Sequence, residues 1–393
     1  MIIAESFGGT MSPLYIPRIL NLKEILTKKS CFLFGPRQTG KTRLIEHQLA
    51  GYRFYNLLDT EIFLRLSRSP RRLSEECSQK DPIVIIDEIQ KLPSLLDEVH
   101  LLIEKYGIHF LLTGSSTRKL RRGGVNLLGG RAWTRQLHPF CFAELKDDRM
   151  DLGRAINYGL IPSIYLSENP DEDLKSYVGT YLREEIAAEG LTRNIPAFSR
   201  FLEVAALCNR QLINYTQIAS DAQVARSTVQ EYFQILKDTL VGYEVSAWKE
   251  SKKRKPMSTS KFYLFDMGVT RFLQNRGTIR QGSPEFGDFF ESYLFQELKA
   301  YTDYKGISDL TYWRSKSGYE VDFIVGNQTA IEVKASSNVG PHDLRGLRAL
   351  QEENLLKHYL LVCLEEHQRK VADIQMLPWK LFLTHLWEGD YFK

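Results

Sequence analysis

Ser30-Cys31-Phe32-Leu33-Phe34-Gly35-Pro36-Arg37-Gln38-Thr39-Gly40-Lys41-Thr42 decides how the first third of this 393-residue chain is read. Ser30 to Phe34 has the apolar run of a buried strand. Gly35 to Thr42 satisfies G-x-x-x-x-G-K-[ST] in full, and a helix is predicted from Lys41. Such a strand, loop and helix form a phosphate cradle. The loop of Gly35, Pro36, Arg37, Gln38, Thr39 and Gly40 wraps the phosphates at a helix N-terminus, with the backbone N–H groups of all but Pro36. Lys41 reaches the β- and γ-phosphates, and the Thr42 hydroxyl joins a Mg²⁺ shell.

Further strands follow at intervals set by helices. Tyr52 to Leu57 reads as a second strand, Pro82 to Ile86 as a central one covered on both faces, Ile108 to Leu112 as a fourth, and Arg131 to Leu137 as a fifth. This alternation predicts a doubly wound α/β domain with its ligand beyond the strands' C-terminal ends. Asp87 and Glu88 stand at the tip of the central strand. The spacing assigns Asp87 to the Mg²⁺ shell and Glu88 to polarising an attacking water. Ser115, in Thr113-Gly114-Ser115-Ser116, or Arg131, in Gly129-Gly130-Arg131, would read the γ-phosphate. The competing reading of Arg131 is an ordinary surface arginine.

From about Asp151 the pattern turns helical, with runs from Asp173 through Ala188 and from Ala197 to Cys208. Leu212 to Ala219 and Ala225 to Phe233 flank a polar turn, as a helix-turn-helix does, and Val245 to Trp248 is a candidate wing strand. Arg226, Ser227, Thr228 and Gln230 would then face DNA bases, with Lys252, Lys253, Arg254 and Lys255 on phosphates. A protein-contact helix pair with a solvated basic loop is the alternative.

In the last third, Tyr319 to Val325 and Ala330 to Lys334 are strands joined across Gly326-Asn327, an antiparallel hairpin that brings Asp322 towards Glu332. Glu332 and Lys334 share one face. Two acids and a lysine two residues on suit a phosphodiesterase using Mg²⁺ or Mn²⁺, and Glu291 on the helix Phe289 to Leu294 adds a third acid. A structural ion cluster, or a degraded nuclease fold that only binds, is the alternative.

Composition bounds the rest. The chain is 43% hydrophobic and 25% charged, with net charge +4, which excludes a disordered or fibrous class and permits nucleic-acid contact without requiring it. No apolar run approaches membrane-spanning length, and Met1-Ile2-Ile3-Ala4-Glu5 does not begin a signal peptide, so a cytoplasmic protein is expected. Five scattered cysteines and eight histidines form no disulfide or zinc pattern.

Residues 14–145 resemble the ATPase domain of a prokaryotic AAA+-like family whose phosphate loop reads GPRQTGKT. Tyr15-Ile16-Pro17-Arg18, Asp87 to Lys91, Leu112 to Ser116 and Gly130-Arg131 through Leu145 carry that resemblance, which implies ATP as the ligand. No second-sensor arginine is evident. Residues from about 180 to 340 resemble the domain of unknown function that usually follows this ATPase, on Tyr181 to Ile186, Ser227 to Tyr232 and Lys261 to Gly268. Asp322, Glu332, Lys334 and Glu291 are similar to the PD-(D/E)xK nuclease core. The expected architecture is therefore an α/β P-loop ATPase domain over 1–150, a helical and winged-helix region over 151–255, and an α/β restriction-endonuclease-like domain over 256–393. ATP is the expected ligand, with DNA or a protein as a further partner.

Overall fold

The computed structural model describes residues 15–116, 118, 128–185, 194–307 and 310–392. The expected helix to Ala188 and the signal-peptide reading at Met1 extend beyond them.

The first unit is built on five parallel strands: β1 (Ser30–Phe34), β2 (Arg53–Asn56), β3 (Ile83–Asp87), β4 (His109–Gly114) and β5 (Ala132–Gln136). Their order is β2-β3-β4-β1-β5. β1 and β3 are buried along their whole length, as their uninterrupted apolar sequences require. β1 lies between β4 and β5, so the chain passes from β1 to β2 on one side of it and from β4 across it to β5 on the other. A crevice opens at its C-terminal end, where the phosphate loop leads into α1 (Lys41–Gln48).

The middle is helical. Asn214 caps α2 (Tyr215–Ala222) through its side chain, and Gln223 stops it in the left-handed region, with φ 54°. α3 (Arg226–Asp238) follows at once. Phe198, Phe201, Tyr232, Phe233 and Phe262 pack edge-on in the core beneath these helices.

A second, mixed sheet has eight strands: β6 (Gly242–Ala247), β7 (Lys261–Leu264), β8 (Leu310–Arg314), β9 (Glu320–Val325), β10 (Thr329–Lys334), β11 (His358–Cys363), β12 (Arg369–Val371) and β13 (Ile374–Pro378). Their order is β12-β13-β11-β10-β9-β8-β6-β7. The strand expected as a wing near Val245 is β6, an interior strand of this sheet. It pairs in parallel with β8, Ser246 beside Thr311, so this sheet runs across position 255. The long helix α4 (Phe286–Lys305) is buried along most of its length. It lies between the sheet and the first unit, accepting the Phe142 N–H on Glu297 Oε1 at 2.7 Å and the His138 ring on Asp303 Oδ2 at 2.7 Å.

Candidate nucleotide site and acidic cluster

The phosphate loop is shaped by close approach. A Cβ on Gly35 would lie 2.4 Å from the Leu137 carbonyl oxygen, because β5 continues beside the loop. Gln38 and Gly40 take positive φ, 62° and 92°. Thr39 Oγ1 donates to the Pro36 carbonyl at 2.8 Å. Lys41 is buried, and its ammonium donates to the carbonyls of Gly35 at 2.7 Å and Pro36 at 3.1 Å, folded over its own loop. Arg18 pins the loop from beneath. Its guanidinium donates to the Thr39 and His138 carbonyls, both at 2.6 Å, and pairs with Glu144 at 2.9 Å.

Thr42 is exposed in the first turn of α1, while Asp87 is buried at the end of β3 and accepts from the Thr113 hydroxyl. Glu88 takes φ 61°, which turns its side chain out of the strand direction. Gln90 donates to its carboxylate and, at 3.3 Å, to Ser115 Oγ. Burial raises the Glu88 pKa above the usual carboxylate range and Asp87 adds to this. Lys41, Gln90 and Arg37 oppose it. Gln90 sits at the centre of this group; in the sequence its one signal is its place in the Asp87 to Lys91 segment of the family pattern.

Arg131 does not join the site of its own chain. It precedes Ala132, which pairs with Ser30 at the start of β1, roughly 15 Å of strand away from the loop. There its guanidinium pairs with Glu104.

A cavity of about 480 Å³ adjoins the phosphate loop. Tyr15, stacked on His47 with centroids 3.4 Å apart, lines it together with Gln38, Phe140, Pro162 and Leu166. Its size and mainly apolar lining suit a small-molecule ring. The helical region closes over the loop. Ser163 donates to Gln38 at 2.7 Å, Tyr177 donates to the Arg37 carbonyl at 3.4 Å, and the Arg37 guanidinium lies over the Tyr181 ring. Tyr15 to Arg18 belong to the family pattern in the sequence, whereas Pro162 and Ser163 belong to no motif.

Arg226, Ser227 and Gln230 are exposed in the first half of α3, and Thr228 is half-buried. The other half faces the first unit. Arg118, just beyond the Ser115-Ser116 turn, pairs with Asp238 at 3.2 Å and Glu231 at 3.5 Å. Ser227, Glu231, Gln234 and Asp238 recur at helical spacing, so one stripe of α3 carries acids engaged by the first unit. The basic stretch is fixed elsewhere: the Glu353 carboxylate accepts from the backbone N–H groups of Lys252, Lys253 and Arg254 within 3.1 Å.

Asp322, Glu332, Lys334 and Glu291 come together around the β9–β10 hairpin. Val333 N–H donates to Asp322 Oδ2 at 2.9 Å, and Lys334 pairs with Glu332 Oε1 at 2.6 Å. Glu332 Oε2 is buried without a hydrogen-bond partner. Burial together with Glu291 lifts the Asp322 pKa to about 6. Burial and Asp322 raise that of Glu332 further. Glu291 is shifted the opposite way. Burial alone would raise its pKa, but Lys261 and Arg210 outweigh this and hold it low.

Lys261 was not foreseen. From β7 its buried ammonium lies 2.5 Å from Glu320, 3.8 Å from Glu291 and 3.9 Å from Asp322. Tyr263 donates to Glu291 at 2.7 Å, and Arg210 pairs with the same carboxylate. Among the described residues no three His, Cys, Asp or Glu side chains are grouped as a metal ion would require. Protein cations and an N–H group engage Glu291 and Asp322. A cavity of about 450 Å³ opens on Glu332, Lys334, Glu320, His342 and Arg345.

Comparison with known families bears on each unit in turn. A family model described as an AAA domain matches residues 27–146. The first unit, with its five-stranded parallel sheet, is consistent with a P-loop NTPase fold and is similar to AAA domains. Residues 149–279 match a Domain of unknown function (DUF8612), and residues 286–382 match another (DUF4143). Uncharacterized proteins of Mycobacterium bovis and Mycobacterium tuberculosis are each 25% identical over 354 residues, which cover 87% of this chain and 78% of theirs. A solved Signal Transduction ATPase with Numerous Domains protein from Pyrococcus horikoshii, with a tetratricopeptide repeat sensor, is 15% identical at a TM-score of 0.25. That similarity covers 75% of this chain and 48% of the other. No described helix is long and apolar enough to cross a membrane.

Proposed function

We propose that the first unit binds ATP with Mg²⁺ and hydrolyses it. The observation that carries this reading is Lys41 folded over the carbonyls of Gly35 and Pro36, at the mouth of a loop with Glu88 and Ser115 opposite. An incoming phosphate would draw the ammonium from those carbonyls to itself. Thr42 and Asp87 are the oxygen donors for Mg²⁺, which would neutralise phosphate charge. Glu88 would orient the attacking water and take its proton, with Gln90 holding the carboxylate and Ser115 facing the γ-phosphate. The nucleobase fits the cavity beside Tyr15 and Pro162. Isothermal titration of the Lys41→Ala variant with ATP and Mg²⁺ tests the assignment. Affinity is expected to fall by at least about 100-fold, the loss of a charge-assisted contact to phosphate, and unchanged affinity would refute it.

A second reading concerns the last unit, favoured by the buried, unpartnered Glu332 Oε2 beside Lys334. It makes Asp322 and Glu332 oxygen ligands for Mg²⁺ or Mn²⁺ in phosphodiester cleavage, with ATP turnover and the α3 region governing access to DNA. When bound, the metal would polarise the scissile phosphate. Lys334 would steady the developing charge, and Asp322 is already oriented by the Val333 N–H. Cleavage of plasmid and single-stranded DNA by wild type but not Lys334→Ala is expected. Absence of cleavage by folded protein that still turns over ATP would leave a nucleotide-dependent switch acting on a protein partner.

A further inference from the structure

The acidic cluster draws its cations from a different part of the chain than its acids. Glu291, Asp322 and Glu332 stand on α4, β9 and β10. Lys261 stands on β7 and Arg210 on the segment before α2. These two cations belong to one backbone unit: Arg210 N–H donates to the Phe262 carbonyl at 2.7 Å, and Phe262 N–H donates to the Gln211 carbonyl at 3.0 Å. β7 is the last strand of its sheet, pairing only with β6 in the sheet order. All four of its residues are buried, and Tyr263 stacks on Phe295 of α4, so β7 holds Lys261 fixed against the cluster.

We propose that Lys261 is a tethered cation that keeps the acidic cluster closed to a divalent metal ion, its ammonium standing where the ion would bind. This rests on the metal-dependent reading of Asp322 and Glu332. The ammonium stands within 4 Å of Glu320, Glu291 and Asp322, so it supplies the positive charge that a hard cation would bring to the same oxygens. Among the described residues the buried Glu332 Oε2 has no donor, and a metal ion would satisfy it. Arg210 and Tyr263 on Glu291 then fix that carboxylate as the anchor for the closed state.

The test is Mn²⁺ binding to the nucleotide-free full chain, followed by loss of the free-ion electron paramagnetic resonance signal. Lys261→Met should bind one Mn²⁺ at least about tenfold more tightly than wild type, since removing a competing positive charge raises cation affinity. Adding Glu332→Gln should abolish that site. Lys261→Gln, with circular dichroism to establish folding, provides the same comparison should the methionine variant unfold. Equal affinity in wild type and variant, both sensitive to Glu332→Gln, would overturn the tethered cation while leaving the metal site standing. No Glu332-dependent binding in any folded variant would overturn the metal site and the inference together.

Discussion

At the residue scale, the ATPase reading turns on Glu88. Its φ of 61° lifts the carboxylate out of the strand, and Gln90 anchors it. Glu88→Gln keeps the size and can still bond Gln90 but cannot accept a proton. Nucleotide affinity should be little changed while kcat falls by about 100-fold or more, the usual contribution of a positioned base. Single-turnover hydrolysis beside a binding titration separates the two, and unaltered kcat would remove Glu88 from the chemistry. Gly35 makes a complementary case. Gly35→Ala would push a methyl group to 2.4 Å from a backbone carbonyl that is held by the strand pairing of β5, so the loop must move. Reduced ATP affinity in protein that still melts cooperatively is the expected outcome.

At the element scale, α3 is joined to the first unit by Arg118. Removing the guanidinium in Arg118→Ala leaves the buried Asp238 carboxylate short of its cation. Breaking a buried pair from one side costs about 3 kcal/mol. Denaturant unfolding should show that loss, and Asp238→Asn in the same background should recover part of it. A wild-type midpoint in Arg118→Ala would mean that the pair contributes nothing. The link also explains what the sequence could and could not convey about this region. The helix pair around Asp221 to Gln223 was readable because capping, turn and apolar periodicity are local properties. Which stripe of α3 meets another unit was not, because Arg118 and Asp238 lie 120 positions apart and an ion pair leaves no periodic trace. The same holds for the acidic cluster. Asp322, Glu332 and Lys334 announce themselves through alternation in one hairpin, whereas Lys261 and Arg210 reach it from strands and turns far along the chain. In the first unit the loop and β3 were readable because phosphate binding and burial impose residue types directly. Arg131 stands with Glu104, as the surface-arginine alternative had it, because its place at the start of β5 sets it at the opposite end of the sheet from the loop.

At the scale of the whole molecule, α4 is the beam on which the first unit rests. Arg18 grips both the phosphate loop and the His138 carbonyl, and the His138 ring meets Asp303 of α4. One turn and a half earlier, Glu297 is fully buried between the Phe142 N–H and, at 3.0 Å, the Trp387 indole N–H. Burial raises its pKa to about 8 despite both donors. A carboxyl whose folded pKa lies above its unfolded value of roughly 4.3 binds its proton more tightly when folded. Its contribution is therefore complete below the unfolded pKa and is lost as pH rises towards 8. Asp266, raised to about 6 by burial, adds the same sign over the lower part of that window. Between pH 6 and 8 Glu297 should lower stability with a slope of up to about 1.4 kcal/mol per pH unit, the limit for one proton. Glu297→Gln cannot titrate, so its melting temperature should fall less steeply over that interval than wild type's. Parallel profiles would show that the Glu297 carboxyl is already ionised in the folded protein, and that the docking of the first unit on α4 does not depend on its proton.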